Sequence, residues 1–134
     1  MILVDTSVWL FDRRRFRLTD IVRMDEVAVC GPIIQEVLQG LAEHRYQETR
    51  TTLLNCHILS EPLPLGHFEY AAEIYRTARI NGYTPRSATD CLIATIAILN
   101  HVPLLHADRD FDFIARIANL DARNVSPSAS TARS

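Results

Sequence analysis

The sequence predicts a doubly wound α/β domain, in which helices cover both faces of a short parallel sheet. Short apolar runs that are typical of buried strands alternate along the chain with longer segments of helical periodicity. The length of 134 residues suits one hydrophobic core, and 48% hydrophobic with 22% charged residues is typical of a globular protein. No internal repeat or domain boundary interrupts this pattern before residue 126.

The N-terminal part of the chain predicts two strands, each followed by a helix. Ile2–Val4 is an apolar run that ends at Asp5, and a helix is expected directly after it. A second short helix is expected from Thr19. Residues 26–30 predict the next strand, and Pro32 suits the first turn of a helix whose apolar side chains recur at helical spacing.

The rest of the chain predicts four helices and one strand. A proline-punctuated connector at 61–66 separates the first two of these helices, and the third is apolar on most sides, which favours a central position. We expect helices at 46–55, 67–80, 87–100 and 111–118, and a strand at 103–107.

The composition argues against a membrane or exported protein. The longest apolar runs, such as residues 92–99, fall short of the roughly 20 residues that cross a bilayer. The N-terminus lacks the pattern of a signal peptide, so we expect a cytoplasmic location. Cys30, Cys56 and Cys91 are expected to be reduced and buried, because they show neither paired nor zinc-binding spacing.

All fourteen basic residues are arginine, within a net charge of −2. They include two local groups, Arg13, Arg14, Arg15 and Arg17 in the first and Arg76, Arg79 and Arg86 in the second. The planar donors of arginine suit phosphate oxygens, so either group could contact nucleic acid. A solvated arginine-rich surface is the alternative interpretation of each group.

Acidic residues stand where predicted strands end and predicted helices begin. Asp5 follows the first strand and Asp108 follows the last, so both should emerge at the same edge of a parallel sheet. Glu36 lies near the start of the helix that contains Pro32, and Asp90 lies at the start of the central helix. Four distant elements are therefore expected to place an acid near one edge.

Helix capping is the alternative interpretation of these acids. Asp5 and Asp108 could each be an N-cap, and Ser87 with Asp90 fits a capping box, in which the carboxylate bonds back to the cap N–H. Glu36 fits this interpretation less well, because it lies on or beside the apolar face of its helix.

Convergence of the acids predicts a divalent metal site. Carboxylates that meet without a lysine or arginine beside them repel strongly, and a bound cation removes that cost. Hard oxygen ligands favour Mg²⁺ or Mn²⁺, which can lower the pKa of a bound water and offset charge on the leaving oxygen of a phosphodiester. This is nuclease chemistry.

Four segments of the chain match a known pattern of acidic motifs. They are MILVDTS from Met1, the helix that contains Glu36, RSATDCLIATIAI from Arg86 and LLHADRDFDFIARI from Leu104. Together they resemble the PIN-domain ribonucleases, and in particular the VapC-type toxins of bacterial toxin-antitoxin pairs. The resemblance runs from Met1 to about Val125, and its most specific part is D-C-L-I-A with a downstream D-x-D-F.

The resemblance implies a PIN-like three-layer α/β/α sandwich with a short central parallel sheet, formed by residues 1–125. It also implies an Mg²⁺- or Mn²⁺-dependent endoribonuclease that cuts single-stranded or loop RNA, is blocked by a cognate antitoxin and forms a homodimer. The tail at 126–134 is small and polar, so we expect it to be disordered.

By position, Asp5, Glu36 and Asp90 match the first three acids of the family's site. The fourth position stays open between two residues, with Asp108 preferred as the metal ligand and Asp110 second. All five acids are therefore candidates for catalysis and for metal binding.

Three further positions are singled out by the resemblance. Thr6 or Ser7 matches the polar position after the first acid, where a hydroxyl could orient water or phosphate. Asp112 is expected to face solvent. Arg86 is expected either to contact the RNA backbone or to pair with a nearby acid.

Three other functions are weighed against the nuclease. Aspartate-based phosphotransfer needs a catalytic lysine, and the chain has none. A catalytically silent RNA- or antitoxin-binding module would keep the fold without cleavage. A metal-free nuclease would use two histidines as acid and base, and His57, His101 and His106 show no spacing that suggests pairing.

Overall fold

The computed structural model describes residues 1–11 and 17–126, which contain a five-stranded, fully parallel sheet. The strands are β1 (Ile2–Val4), β2 (Val27–Val29), β3 (His57–Ile58), β4 (Leu104–His106) and β5 (Ala122–Asn124). Their order across the sheet is β3-β2-β1-β4-β5. The predicted α/β architecture with a parallel sheet is confirmed.

Six α-helices accompany the sheet in the described residues. They are α1 (Thr6–Trp9), α2 (Gly31–Gln39), α3 (Glu43–Leu54), α4 (Leu65–Ile80), α5 (Ala88–Leu99) and α6 (Arg109–Ile117). The predicted central helix corresponds to α5, which buries six residues. Its apolar sequence on most sides is explained by this burial.

Side chains of the central strands pack on both faces of the sheet. Leu3, Ala28 and Leu104 belong to a large core with buried residues of α2, α3, α4, α5 and α6. Val4 and Leu105 belong to a smaller core that includes Val8 of α1. Both faces are shielded from water, which is why these strands are continuous apolar runs rather than alternating ones.

The connections between strands create a switch point between β1 and β4. From β1 the chain moves to β2 and β3 on one side, then returns to β4 and β5 on the other side. The loops that leave β1 and β4 therefore diverge to opposite sides of the sheet. In open parallel sheets this opening, at the carboxyl ends of the strands, is where ligands bind.

Several elements differ from the prediction. The short strands β3 and β5 were not predicted, and the helix expected from Thr19 is a single 3₁₀ turn at Leu18–Asp20. Helix α3 begins at Glu43 instead of residue 46, and α6 begins at Arg109 because Asp108 caps it. The expected elements elsewhere are present with shifted ends.

Two sequence-based expectations fall outside the described residues. They concern Arg13, Arg14 and Arg15 of the first arginine group, and the tail beyond Ser126.

Among the described residues, no helix has the length and hydropathy that a membrane span requires. Cys30 and Cys91 are buried free thiols as expected, whereas Cys56 is only half-buried.

Candidate metal centre

Asp5 lies at the carboxyl end of β1, where it caps α1. Its Oδ2 accepts hydrogen bonds from the backbone N–H of Ser7 at 3.0 Å and from the Ser7 hydroxyl at 2.6 Å. Asp5 is only 4% exposed. Burial raises the pKa of this carboxyl, although the hydrogen bonds from Ser7 oppose the shift. Asp5 is thus a buried acid held in a fixed orientation.

Glu36 lies in the second turn of α2, and the hydroxyl of Thr6 donates a 3.1 Å hydrogen bond to its Oε1. Burial and the nearby Asp5 raise the pKa of Glu36, while the bond from Thr6 lowers it. Thr6 therefore connects the helix after β1 to the helix after β2. Of the two hydroxyls expected to serve the site, Thr6 holds Glu36 and Ser7 holds Asp5.

Asp90 lies in the first turn of α5, and its carboxylate accepts no hydrogen bond from any described residue. Burial raises its pKa to about 7, with further contributions from Asp5, Asp108, Asp110 and Glu36. The other four candidate acids all act on Asp90 through their charge. Asp90 is therefore the place where the repulsion within the cluster is concentrated.

Asp108 and Asp110 lie at the start of α6, beyond the end of β4. Oδ1 of Asp108 accepts a 3.0 Å hydrogen bond from the backbone N–H of Asp110, as an N-cap does. Asp110 is fully buried, and its Oδ1 accepts a hydrogen bond from the hydroxyl of Tyr83. Burial by itself raises the pKa of Asp110, but the bonds from Tyr83 and Arg86 outweigh it and hold the pKa below the usual value.

Three of the candidate acids converge closely enough to hold one ion. One oxygen each from Asp90, Asp108 and Asp110 lies within 4.8 Å of the other two. Asp5 and Glu36 are near enough to raise the pKa of Asp90 by their charge. The donor set consists of carboxylate oxygens alone, and the Asp90 carboxylate has no hydrogen-bond partner among residues 1–11 and 17–126. The residues present therefore fit a hard divalent cation.

Arg86 pairs with two of these acids. Its Nη2 lies 2.7 Å from Oδ1 of Asp108, and its Nε lies 3.3 Å from Oδ2 of Asp110. Sequence reasoning left open whether Arg86 contacts RNA or an acid. In the structure it contacts acids.

The capping interpretation is correct for two acids and wrong for a third. Asp5 and Asp108 both cap helices through their side chains. Asp90 does not complete a capping box, because the hydroxyl of Ser87 accepts the 3.0 Å bond from Thr89 N–H while the Asp90 carboxylate makes no such bond. Capping accounts for the position of the first two residues and leaves Asp90 unexplained.

His106 is a residue of the site's surroundings that the sequence did not single out for this role. It is fully buried at the end of β4, and its Nδ1 accepts a 3.1 Å hydrogen bond from the backbone N–H of Asp108. Its Nε2 lies 3.3 Å from Oδ1 of Asp112. Desolvation lowers the pKa of His106, although the carboxylate of Asp112 opposes the shift. In the sequence, the only signal for a role of His106 near the site is its place at the end of an apolar strand, two residues before Asp108.

Asp112 was expected to face solvent, but its carboxylate also contacts two neighbouring side chains. Its side chain is 42% exposed, but Asn124 donates a 2.7 Å hydrogen bond to its Oδ2, and Nε2 of His106 lies 3.3 Å from its Oδ1.

The alternative of a metal-free nuclease that uses two histidines gains no support from the geometry, since Nε2 of His57 contacts the carbonyl oxygen of Asp25 at 2.9 Å.

Comparison with known proteins identifies the family. A model of the PIN domain matches residues 2–117, so the chain belongs to the PIN-domain family. Within that family it is similar to ribonuclease VapC11 of Mycobacterium tuberculosis (strain ATCC 25618 / H37Rv), with 40% identity over 133 residues. The match covers 91% of this chain and 97% of the relative.

Solved structures share the same fold. A structure of FitAB bound to the IR36 DNA fragment matches with a TM-score of 0.68 and 20% identity, and covers 92% of this chain and 94% of that chain. VapBC2 from Rickettsia felis, bound to a DNA fragment from its promoter, matches with a TM-score of 0.66 and 16% identity, and covers 92% and 98%. These matches support the PIN-like α/β/α sandwich.

Proposed function

We propose that this protein is a metal-dependent endoribonuclease and the toxin of a toxin-antitoxin pair. The observation that carries the proposal is the convergence of Asp90, Asp108 and Asp110 at the switch point of the sheet, with Asp5 and Glu36 beside them. The 40% identity to VapC11, which is named a ribonuclease, supports RNA as the substrate class. We assign the nuclease unit to residues 1–125.

We propose that Mg²⁺ or Mn²⁺ is the metal, because the available ligands are carboxylate oxygens with neither thiolate nor an unengaged imidazole among them. When bound, such an ion supplies an activated water and offsets negative charge on the phosphodiester. Asp90, Asp108 and Asp110, whose oxygens converge, would hold it, and Asp5 and Glu36 complete the acidic set.

The chain's own residues then orient these ligands. Ser7 holds Asp5 through its hydroxyl and backbone N–H, and Thr6 holds Glu36. Tyr83 and Arg86 hold Asp110. Because hydrogen bonds fix Asp5 and Glu36 before any ion arrives, little reorganisation of these two acids accompanies binding.

A cognate antitoxin is the proposed protein partner, and a homodimer is the proposed assembly. Support for the antitoxin comes from a fold relative, VapBC-5 from Mycobacterium tuberculosis, which is named a member of the VapBC family of toxin-antitoxin systems. Coexpression with the product of an adjacent small gene should suppress RNA cleavage, and light scattering should give twice the mass of one chain. A monomer, or cleavage unaffected by that product, would contradict the respective assignment.

The nuclease is tested by incubating purified protein with total RNA and with a defined single-stranded RNA. We expect cleavage with Mg²⁺ or Mn²⁺, none with EDTA, and none by Asp90→Asn under any condition. Cleavage that survives EDTA would contradict the metal requirement. No cleavage by the unmodified protein in either metal would favour a silent binding module instead.

A further inference from the structure

The five acids of the site divide into two groups according to their partners. Asp108 and Asp110 share the guanidinium of Arg86. The other three acids, Asp5, Glu36 and Asp90, form no ion pair with an arginine among residues 1–11 and 17–126. Positive charge inside the cluster is therefore confined to one side of it.

We propose that Arg86 is a built-in cation that takes the place of a second metal ion, so that each chain binds one divalent ion. The inference rests on the proposed metal-dependent nuclease and deepens it, because it states how many ions the site holds. It also assigns Arg86 a positioning role that neither the family match nor the relatives' names provide.

The oxygens of Asp110 are already engaged by protein donors. Its Oδ1 accepts the bond from the hydroxyl of Tyr83. Its Oδ2 accepts from the backbone N–H of Arg86 at 3.2 Å and from Nε of Arg86 at 3.3 Å. Oδ2 of Asp110 thus accepts two hydrogen bonds and Oδ1 accepts one, so only Oδ1 has a lone pair left for an ion.

Asp108 accepts hydrogen bonds from the described part of the chain on one oxygen only. Its Oδ1 accepts from Nη2 of Arg86 at 2.7 Å and from the backbone N–H of Asp110 at 3.0 Å. Neither of these bonds uses Oδ2. The Asp90 carboxylate has no hydrogen bond from a described residue. One oxygen each of Asp90, Asp108 and Asp110 lies within 4.8 Å of the other two, so these three acids provide one site for an ion.

Arg86 is positioned to stay where it is while that ion binds. The hydrogen bond from its own backbone N–H to Asp110 anchors the base of the side chain. A guanidinium stays protonated at all working pH values, so Arg86 remains a cation. A second divalent ion between Asp108 and Asp110 would meet this charge at close range and be repelled.

Substitution of Arg86 is well suited to a test, because the side chain is 64% exposed. Arg86→Gln removes the charge and keeps the backbone bond to Asp110. Arg86→Lys keeps the charge. Arg23→Gln is a matched control, since Arg23 forms an exposed ion pair with Asp25 before β2, at the opposite edge of the sheet.

The experiment is a titration with Mn²⁺ at pH 8, in which binding is measured by calorimetry and by the electron paramagnetic resonance signal of free Mn²⁺. We expect one ion per chain for the unmodified protein, Arg86→Lys and Arg23→Gln, and two for Arg86→Gln. Circular dichroism checks that each variant is folded. Arg86→Ala provides a second charge-removing variant with the same expected result.

Two ions per chain in the unmodified protein would overturn the inference and leave the metal-dependent nuclease intact. One ion per chain in both Arg86→Gln and Arg86→Ala would also overturn it. Absence of any Mn²⁺ binding by the unmodified protein would instead overturn the metal requirement, and this inference with it.

Discussion

Ser7 donates a 2.6 Å hydrogen bond from its hydroxyl to Oδ2 of Asp5, and its backbone N–H donates to the same oxygen at 3.0 Å. The hydroxyl also accepts a 3.0 Å bond from the backbone N–H of Ala107, a residue 100 positions away in the chain. One small side chain therefore joins the ends of β1 and β4, the two strands whose loops carry Asp5 and Asp108.

Replacement of Ser7 by alanine should weaken both folding and cleavage. The substitution removes two bonds and leaves the Ala107 N–H without its acceptor, so we expect a loss of roughly 1–2 kcal/mol in the free energy of unfolding. We expect metal-dependent cleavage to fall about tenfold, because Asp5 is no longer held in one orientation. Urea unfolding and initial cleavage rates measure the two effects.

The control for Ser7 is Thr51→Ala. The hydroxyl of Thr51 donates to the carbonyl oxygen of Gln47 on the exposed side of α3, so the variant also removes a local hydroxyl bond. It should leave cleavage unchanged. Equal loss of cleavage in the two variants would show that the effect of Ser7→Ala is not specific to the site.

Replacement of Asp90 by asparagine should abolish Mn²⁺ binding and cleavage while the protein stays folded. The carboxylate is the acid on which the charge of the other four converges. In EDTA at pH 8, loss of that repulsion should stabilise the fold by roughly 1–2 kcal/mol, a value reduced for partial exposure of the group to solvent. Mn²⁺ titration and urea unfolding test both parts, and normal Mn²⁺ affinity in the variant would rule out Asp90 as a ligand.

The stability of the metal-free protein should depend on pH through Asp90. Burial and the neighbouring acids raise its pKa from 3.8 to about 7 in the folded state. A raised pKa means that the folded state favours the protonated form, so this contribution to stability is complete below 3.8 and is lost as the pH rises through 7. In EDTA, the unmodified protein should approach Asp90→Asn in stability at pH 5 and fall below it at pH 8.

The difference in the free energy of unfolding between the unmodified protein and Asp90→Asn isolates the titration of Asp90 from that of the other acids. Unfolding free energies at several pH values between 4 and 9 would measure it. A difference that does not change over this range would show that the Asp90 carboxyl titrates normally. Saturating Mn²⁺ should remove the decline in the unmodified protein, because an ion stabilises the ionised carboxylate.

Replacement of Tyr83 by phenylalanine should loosen Asp110 without disturbing the packing. The ring of Tyr83 stacks on Phe113 with centroids 4.0 Å apart, and only the hydroxyl bond to Asp110 is lost. Burial and that bond raise the pKa of Tyr83 to about 12, so the phenol is a proton donor at all working pH values. We expect a loss of roughly 1.5–3 kcal/mol in the free energy of unfolding, as for a bond to a charged group.

Tyr70→Phe is the matched control, because Tyr70 lies on α4 and is 36% exposed. It should change the free energy of unfolding by less than about 0.5 kcal/mol. If Tyr83→Phe is as stable as this control in urea unfolding, the hydroxyl does not hold Asp110 in solution.

The central part of the fold could be predicted because its signals lie along short stretches of chain. Ile2–Val4 is apolar because both faces of β1 are buried, and the spacing of apolar residues in α2 and α5 records which side faces the core. The strands β3 and β5 carry no such signal. His57–Ile58 is exposed and short, and its extended conformation follows from pairing with β2.

The sequence by itself determined the fold class and the family and predicted a set of candidate acids, since these depend on local periodicity and on motifs that are contiguous in the chain. Only the tertiary structure decided which oxygens of those acids accept hydrogen bonds from other residues. Arg86 and Tyr83 reach Asp110 across 24 and 27 positions, and Ser7 reaches Ala107 across 100. Such contacts form only when distant segments pack together, so no periodicity along the chain records them.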